Sequence, residues 1–315
     1  MLSDGHERDR EAETAAPAEA ARRDGADVAA SAAEAAAPSA PAAPSAASRR
    51  TNAAPQGAAG EAASSPLRFL LSLLFTVTGN FYLLFGTTFF TFVTIAIGWI
   101  PLPRGGRVFF WLARWWSSLL LLSSGVLWRV ERTAPLDRSQ RYVFLSNHQS
   151  LFDIPVLLAT LRSPARFLAK RELFQIPIFG WALRSGGFIP VERGGRSAGE
   201  SFRAAADTAR RGGSVLLFPE ETRSTDGRLL PFKRGGFLLA QKAGLPMVPV
   251  GIRGTLAVRP RTSYRIHPGR VLVRYGEALP PPSAGRGGTA AAIEAVRSRI
   301  AELAGVEAPS QRADA

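Results

Sequence analysis

The stretch Arg141–Arg162, "RYVFLSNHQSLFDIPVLLATLR", changes character twice within 22 residues. Tyr142–Leu145 is a short apolar run with aromatic and β-branched members, which reads as a strand. Ile154–Arg162 reads as a helix. Between them lies a polar segment, Ser146–Asp153, with one of the chain's three histidines. Ser150 and Asp153 match a capping box, in which Asp153 merely helps to start the helix. Pro155 argues against a start at Ser150. A proline is tolerated in the first helical turn, and that start would put it fifth, where its ring clashes. The helix therefore starts nearer Asp153, leaving His148 in the loop before it. A loop histidine can fold back onto a helix-start aspartate, whereas two residues five apart within one helix point about 140° apart. An imidazole with an ordinary pKa near ~6.5 can take a proton from a hydroxyl. A carboxylate on its other nitrogen fixes the tautomer and stabilises the imidazolium. A lone loop histidine is more often a satisfied structural residue, so the rest of the chain must decide.

Beyond this unit the pattern repeats. "ARFLAK", "GGFIPVER", "SVLLFPE" and "PMVPVGIRG" read as strands, and "AGESFRAAADTARR", "RGGFLLAQKAG" and "TAAAIEAVRSRIAEL" as helices. "YRIHPGRVLVRYG" suggests two more short strands around a turn. Alternation of this kind predicts an α/β fold, a mostly mixed central sheet flanked by helices. Polar clusters fall at strand ends, where open α/β sheets carry their sites.

The N-terminal half differs. Residues 1–66 are Ala-, Pro- and Ser-rich, hold no aromatic residue, and cannot bury enough apolar surface to order themselves. They read as a disordered tail, and no cleavable signal peptide is evident. From Phe69 to Pro103 no residue is charged, a run longer than the roughly 20 residues a spanning helix needs. It reads as a membrane-embedded helical segment, either spanning or folded as a shallow hairpin at Gly79-Asn80 and Gly86. A second apolar stretch, Trp115–Trp128, is too short to span; Trp111, Trp115, Trp116 and Arg114 suit the headgroup layer. The expected organisation is a tail over 1–66, a membrane-associated segment over 67–130, an α/β domain over 131–304 and a disordered end over 305–315.

Charge and cysteine content narrow the chemistry. The chain carries a net charge of +14, but residues 1–66 hold 6 Arg and 10 Asp or Glu, so the body carries +18 from 33 basic and 15 acidic residues. A basic body favours an anionic partner: an anionic lipid, a phosphorylated substrate or nucleic acid. Aromatic-interleaved basic stripes are lacking, which weighs against nucleic acid. The absence of cysteine excludes disulfides, thiolate metal sites and a cysteine nucleophile. No metal-ligand cluster stands out. A lipid hydrolase acting through Ser150 or Ser224 lacks the G-x-S-x-G elbow. His267 has no carboxylate within five residues and reads as structural.

Two further clusters share the strand-end position. "FPEETRS", Phe218–Ser224, offers Thr222 and Arg223 to an anion and Glu220 to a hydroxyl or cation. "PFKRGG" places Lys233 and Arg234 before a glycine-rich helix start, which suits phosphate. "GGFIPVERGGR" ends a strand at Arg193.

Taken together and in order, these blocks resemble the glycerolipid acyltransferases of the 1-acylglycerol-3-phosphate (lysophosphatidic acid) acyltransferase type. "NHQSLFD" resembles that family's H-x4-D block, "GGFIPVER" its second, "FPEETRS" its third and "VPVGI" its fourth; the resemblance covers about Phe69–Leu279. It implies that His148 is the general base on an acceptor hydroxyl and that Asp153 orients it. It implies that Arg193, Glu220 and Arg223 hold the acceptor's glycerol and phosphate; on charge alone, Lys170 and Lys233 are further phosphate candidates. Val248 and Pro249 would shape the acyl side, and Phe174, Ile176, Ile178, Phe179 and Trp181 would line an acyl channel, face lipid, or form plain core. The implied reaction moves a fatty acyl group from acyl-CoA or acyl-ACP (acyl carrier protein) to the sn-2 hydroxyl of lysophosphatidic acid, with no bound cofactor. Membrane lipids, a lyso-phospholipid acceptor and the acyl donor are the implied partners. The arginine-rich usage suggests a bacterial source, and hence the cytoplasmic side of a cell inner membrane. One position departs from the family: its third block usually has Gly where this chain has Glu221. Glycine takes positive φ cheaply and leaves room for a ligand, whereas a carboxylate repels phosphate. A zwitterionic or amino-containing lyso-lipid is therefore a second acceptor to test.

Overall fold

A computed structural model of the chain describes residues 66–98, 105–177, 179–192, 197–211 and 213–307. The expected tail before Pro66, the last eight residues of the expected C-terminal tail, Ile178 and Arg193 lie outside the described residues.

Helix α1 (Pro66–Phe81), a π-helical turn (Tyr82–Gly86) and α2 (Thr87–Gly98) follow one another without interruption. No hairpin opens at the glycines, and Gly79 serves packing instead. A Cβ there would lie 2.6 Å from Ser124 Oγ and 2.8 Å from Ile266 Cδ1. By length and composition Pro66–Ile97 is long and apolar enough to cross a membrane, and 6% of its most apolar window is buried in the protein. Helix α3 (Gly105–Ser123) continues this layer. Its outward residues Trp111, Trp115, Leu119 and Leu122 recur at helical spacing and stay exposed.

Strand β1 (Val126–Arg132) begins inside the second apolar stretch, so Trp128 at its end belongs to the sheet. There follow β2 (Val143–Ser146), α4 (Asp153–Thr160), β3 (Ala165–Lys170), a 3-10 turn (Arg171–Gln175), α5 (Phe179–Ser185), β4 (Ile189–Val191), α6 (Ser197–Arg211), β5 (Ser214–Leu217), α7 (Gly235–Ala243), β6 (Met247–Arg253), α8 (Thr255–Val258), β7 (Gly269–Tyr275) and α9 (Arg286–Ala304). The seven strands form one mixed sheet, as the alternation predicts, in the order β1-β7-β6-β2-β5-β3-β4. The five strands from β6 to β4 run parallel; β7 pairs antiparallel with β6 and parallel with β1.

Alternation along β2 explains the layering. Phe144 points to one core, with Val156, Leu157 and Leu158 of α4 and Leu121 of α3. Val143 and Leu145 point to the other, with Phe202, Ala205 and Ala209 of α6, Phe237 of α7 and Ile293, Val296 and Ile300 of α9. A strand buried on both faces reads as a continuous apolar run, which is why β2 and β5 lack a polar face.

Tyr264–Pro268 forms a loop, not the first of two strands. The Ile266 N–H donates to Thr76 Oγ1 (3.0 Å) and its carbonyl accepts from Thr76 Oγ1 (3.2 Å), so its backbone is satisfied by α1 and not by a neighbouring strand.

Candidate active site

The loop leaving β2 is held from three sides. The Asn147 amide spans the end of β6, with Nδ2 donating to the Ile252 carbonyl (2.9 Å) and Oδ1 accepting from the Ile252 N–H (2.8 Å). Gln149 Nε2 donates to the same carbonyl (3.0 Å), and Ser150 Oγ donates to the Arg259 carbonyl (2.7 Å). The His148 N–H donates to Glu220 Oε1 (2.8 Å), and its carbonyl accepts from the Ser224 N–H (2.8 Å).

Helix α4 starts at Asp153, as Pro155 dictates. The fully buried Asp153 Oδ2 accepts from His148 Nδ1 (2.8 Å) and from the N–H groups of Gln149 (2.7 Å) and Ser150 (2.8 Å). Its Oδ1 accepts from Thr255 Oγ1. The capping box is thus inverted: the carboxylate ties down the loop that precedes the helix. Since Oδ2 only accepts, the His148 Nδ1 must carry the shared proton. That leaves the Nε2 lone pair free for a substrate. The ring stacks on Phe218, with centroids 3.9 Å apart and planes 14° from parallel, and the side chain remains 11% exposed. Position, tautomer and a small opening to solvent are the requirements of a general base.

Glu220 does not face an acceptor. It is buried, with Oε1 on the His148 N–H and Oε2 on the Leu230 N–H (3.0 Å). Burial pushes its pKa up to about 7, against the two N–H groups that draw it down; Asp153 adds to the rise and Arg297 opposes it. Both of its carboxylate oxygens are thus committed to backbone N–H groups, one of them that of His148. Thr222 is exposed and half-buried Arg223 lies beside it. Lys170, at the end of β3, is exposed and pairs with Glu172 (3.0 Å). Lys233 is exposed and borders a small hollow with Pro219 and Glu221. Pro249 lies within β6 opposite Leu145, and a Cβ on Gly276 would come within 2.9 Å of it, so it packs inside the sheet and not at the site. Glu221 sits at φ +56°, the one non-glycine residue at positive φ among the described residues. The backbone there has the shape that glycine takes cheaply.

Neither serine is poised as a nucleophile. Ser150 Oγ is spent on the Arg259 carbonyl and the Phe152 N–H, and Ser224 Oγ on Asp226 and the Gly227 N–H. Sequence reasoning missed Thr255, Phe218, Asn147 and Gln149 as supports of the dyad. Phe218, Asn147 and Gln149 stand within quoted blocks and Thr255 does not, but Asn147, Gln149 and Thr255 act through contacts about a hundred residues away in sequence.

An apolar cavity of about 170 Å³, open to solvent, lies between α2, α3 and α5 on one hand and α4 on the other. Phe90, Thr94, Leu112, Trp116, Ile154 and Leu158 are among its lining residues, and Ile154 follows Asp153 directly. Of the five residues proposed for a channel, Phe179 lines this cavity, Phe174 is buried core, and Ile176 and Trp181 are exposed.

The histidine–aspartate pair, five positions apart at the end of a buried strand, has the third-block turn bonded to the backbone of its histidine. The chain belongs to the acyltransferase family. A family profile described as Acyltransferase matches residues 128–253. A 1-acyl-sn-glycerol-3-phosphate acyltransferase of Pseudomonas aeruginosa is 30% identical over 205 residues, covering 63% of this chain and 79% of that protein. A chloroplastic one from Brassica napus is 43% identical over 122 residues, covering 38% of this chain but only 35% of its own length. The crystal structure of the 1-acyl-sn-glycerophosphate acyltransferase from Thermotoga maritima superposes with a TM-score of 0.61 at 25% identity, over 77% of this chain and 98% of that one.

Proposed function

We propose that the protein is a membrane-bound O-acyltransferase. It moves a fatty acyl group from an acyl thioester, on CoA or acyl carrier protein, to the sn-2 hydroxyl of 1-acyl-sn-glycerol-3-phosphate, and the product is phosphatidic acid. The observation that carries this reading is the His148–Asp153 pair, in which Nδ1 meets the buried carboxylate and Nε2 is left to take a proton. The names of the relatives supply the acceptor class.

The acceptor hydroxyl gives its proton to Nε2 as its oxygen attacks the thioester carbonyl. Asp153 stabilises the imidazolium that forms. The tetrahedral intermediate expels the thiolate, which takes the proton back from Nε2, so the base is regenerated without an acyl-enzyme. An acyl chain fits the cavity between α2, α3 and α4. The exposed apolar surface of α1 and α2 lies in the bilayer, with the catalytic unit on the cytoplasmic face of a bacterial inner membrane. The Glu221 carboxylate favours, as a second acceptor, a lyso-lipid whose headgroup carries an amine.

The test is transfer from a labelled acyl thioester to lysophosphatidic acid by membranes carrying wild type or His148→Ala. Transfer by wild type alone supports the reading. Equal transfer by His148→Ala removes the base, and no transfer by wild type removes the acceptor.

A further inference from the structure

The connection from β6 to β7 belongs to none of the four sequence blocks, yet it carries three arginines: Arg259, Arg261 and Arg265. One of them bonds the third block, and a second feels the charge of its Arg223. Arg261 Nη1 donates to Thr222 Oγ1 (3.2 Å) and to the Arg223 carbonyl (3.3 Å). Arg259 is nine-tenths buried; its Nε donates to the Ser263 carbonyl (3.2 Å), and its Nη1 is buried with no hydrogen-bond partner. The Arg259 carbonyl in turn holds Ser150 of the catalytic loop (2.7 Å).

The charges here do not balance. Among the described residues no carboxylate pairs with Arg223, Arg259 or Arg261. Glu220 is spent on backbone N–H groups, and Asp226 on its own turn. Burial, and then the neighbouring Arg223, hold the Arg259 guanidinium below the ordinary arginine pKa. Like charges gathered beside an unpartnered buried N–H cost free energy unless an anion joins them. Arginine is the residue suited to a phosphate, because its planar fork gives two parallel hydrogen bonds.

The same connection is tied to the apolar helix. Ser72 and Thr76 of α1 bond the Ile266 carbonyl (3.4 and 3.2 Å), and Asn80 Nδ2 reaches the Tyr264 carbonyl (3.3 Å). One loop thus joins the surface that would contact lipid tails to the cations beside His148.

Resting on the functional reading above, the geometry points to Arg259 and Arg261 as specificity-determining residues that, with Arg223, hold the phosphomonoester of the acceptor lyso-lipid. The phosphate lies between the third block and the β6–β7 connection, and α1 fixes the depth at which that headgroup meets the base.

The test is steady-state transfer to lysophosphatidic acid and to 1-acylglycerol, which lacks the phosphate, with full-length protein in mixed micelles. Losing one charge-assisted contact raises the lysophosphatidic acid KM of Arg261→Ala about tenfold. The KM of the acyl thioester does not follow it. Selectivity for lysophosphatidic acid over 1-acylglycerol falls by the same factor, and Arg261→Lys recovers most of it. Arg259→Lys, which keeps the charge but withdraws the fork, also raises the lysophosphatidic acid KM. A purely structural Arg261 lowers kcat on both acceptors and leaves the selectivity ratio intact, which overturns the proposal. An unchanged acceptor KM in Arg259→Lys removes Arg259 from the site. Failure of wild type to acylate lysophosphatidic acid overturns the functional reading and this proposal with it; an active wild type whose variants keep its acceptor KM and selectivity overturns only the proposal.

Discussion

Asp153→Asn isolates what the carboxylate's charge contributes. The substituted amide has one favourable orientation. Its oxygen must take the place of Oδ2, which accepts from His148 Nδ1 and two backbone N–H groups. Its NH2 then faces Thr255 Oγ1, and a hydroxyl can rotate to accept. The opposite orientation would set an NH2 against three donors. The hydrogen bonds and the His148 tautomer therefore survive, and only the negative charge is lost. At the observed 2.8 Å and an effective dielectric of about 20, a full ion pair is worth about 6 kcal/mol. With about half a charge on the imidazole in the transition state, the loss is about 3 kcal/mol, on the order of 100-fold in kcat. The acceptor KM should stay within about twofold, because the charge acts on the transition state and not on binding. Single-turnover transfer from a radiolabelled thioester measures this directly. Asp153→Asn combined with His148→Ala should be no slower than His148→Ala alone, since the pair acts as a unit. A loss under about threefold, or a further loss in the double variant, would refute the reasoning.

Three other outcomes follow from the structure. Glu221→Gly relieves a left-handed residue and removes a carboxylate from the phosphate side. The strain relieved exceeds the entropy added to the unfolded chain by about 0.5 kcal/mol, so Tm should rise slightly and the lysophosphatidic acid KM should fall; a drop in Tm with no change in KM contradicts this. Glu220 titrates near 4.5 when unfolded and at about 7 when folded, so the unfolded chain releases its proton first. This group's contribution to stability therefore falls as pH rises from 4.5 to 7, by on the order of 3 kcal/mol, and is flat above that. Urea melts in detergent should show that slope in wild type and lose it in Glu220→Gln; parallel curves would dismiss it. Trp115→Glu with Leu119→Glu places charge on the exposed stripe of α3 and should lower partition onto phospholipid vesicles at least tenfold by flotation, because each apolar side chain contributes roughly 1.5–3 kcal/mol when buried. Unchanged flotation would place the membrane contact elsewhere.

The contact between His148 and Asp153 is legible in the sequence because local rules fix it. Pro155 sets where α4 can start, and the helix start sets Asp153 against the loop. The parallel core strands were legible for the same kind of reason, as apolar runs too short and too uniform for helices. What escaped depends on the path of the chain in three dimensions. Tyr264–Ile266 has strand-like composition, but its backbone groups found α1, nearly two hundred residues earlier. Strand β1 hides in an apolar stretch whose tryptophans suggest a membrane edge, and only its pairing with β7 identifies it. The orientation of Glu220 is hidden in the sequence because a carboxylate beside Thr222 and Arg223 looks like a ligand. Nothing local announces that it turns inward.

That inward turn bears on how the site works. The base is not held by its own side-chain partner alone. The His148 N–H rests on Glu220 and its carbonyl on the Ser224 N–H, so the third block clamps the histidine's backbone from both sides while Phe218 supports the ring. Arg223 lies between two of these clamping residues. Whatever binds Arg223 is therefore registered against Nε2 through a few covalent bonds and two hydrogen bonds, with no mobile element between. A phosphate held there sets the distance of the glycerol hydroxyl from the base, and near-attack geometry is what turns a weak base into an effective one. On the proposed reading the block positions His148 and the acceptor together. For that reason its carboxylate can be buried, costly and turned away from the substrate without being idle.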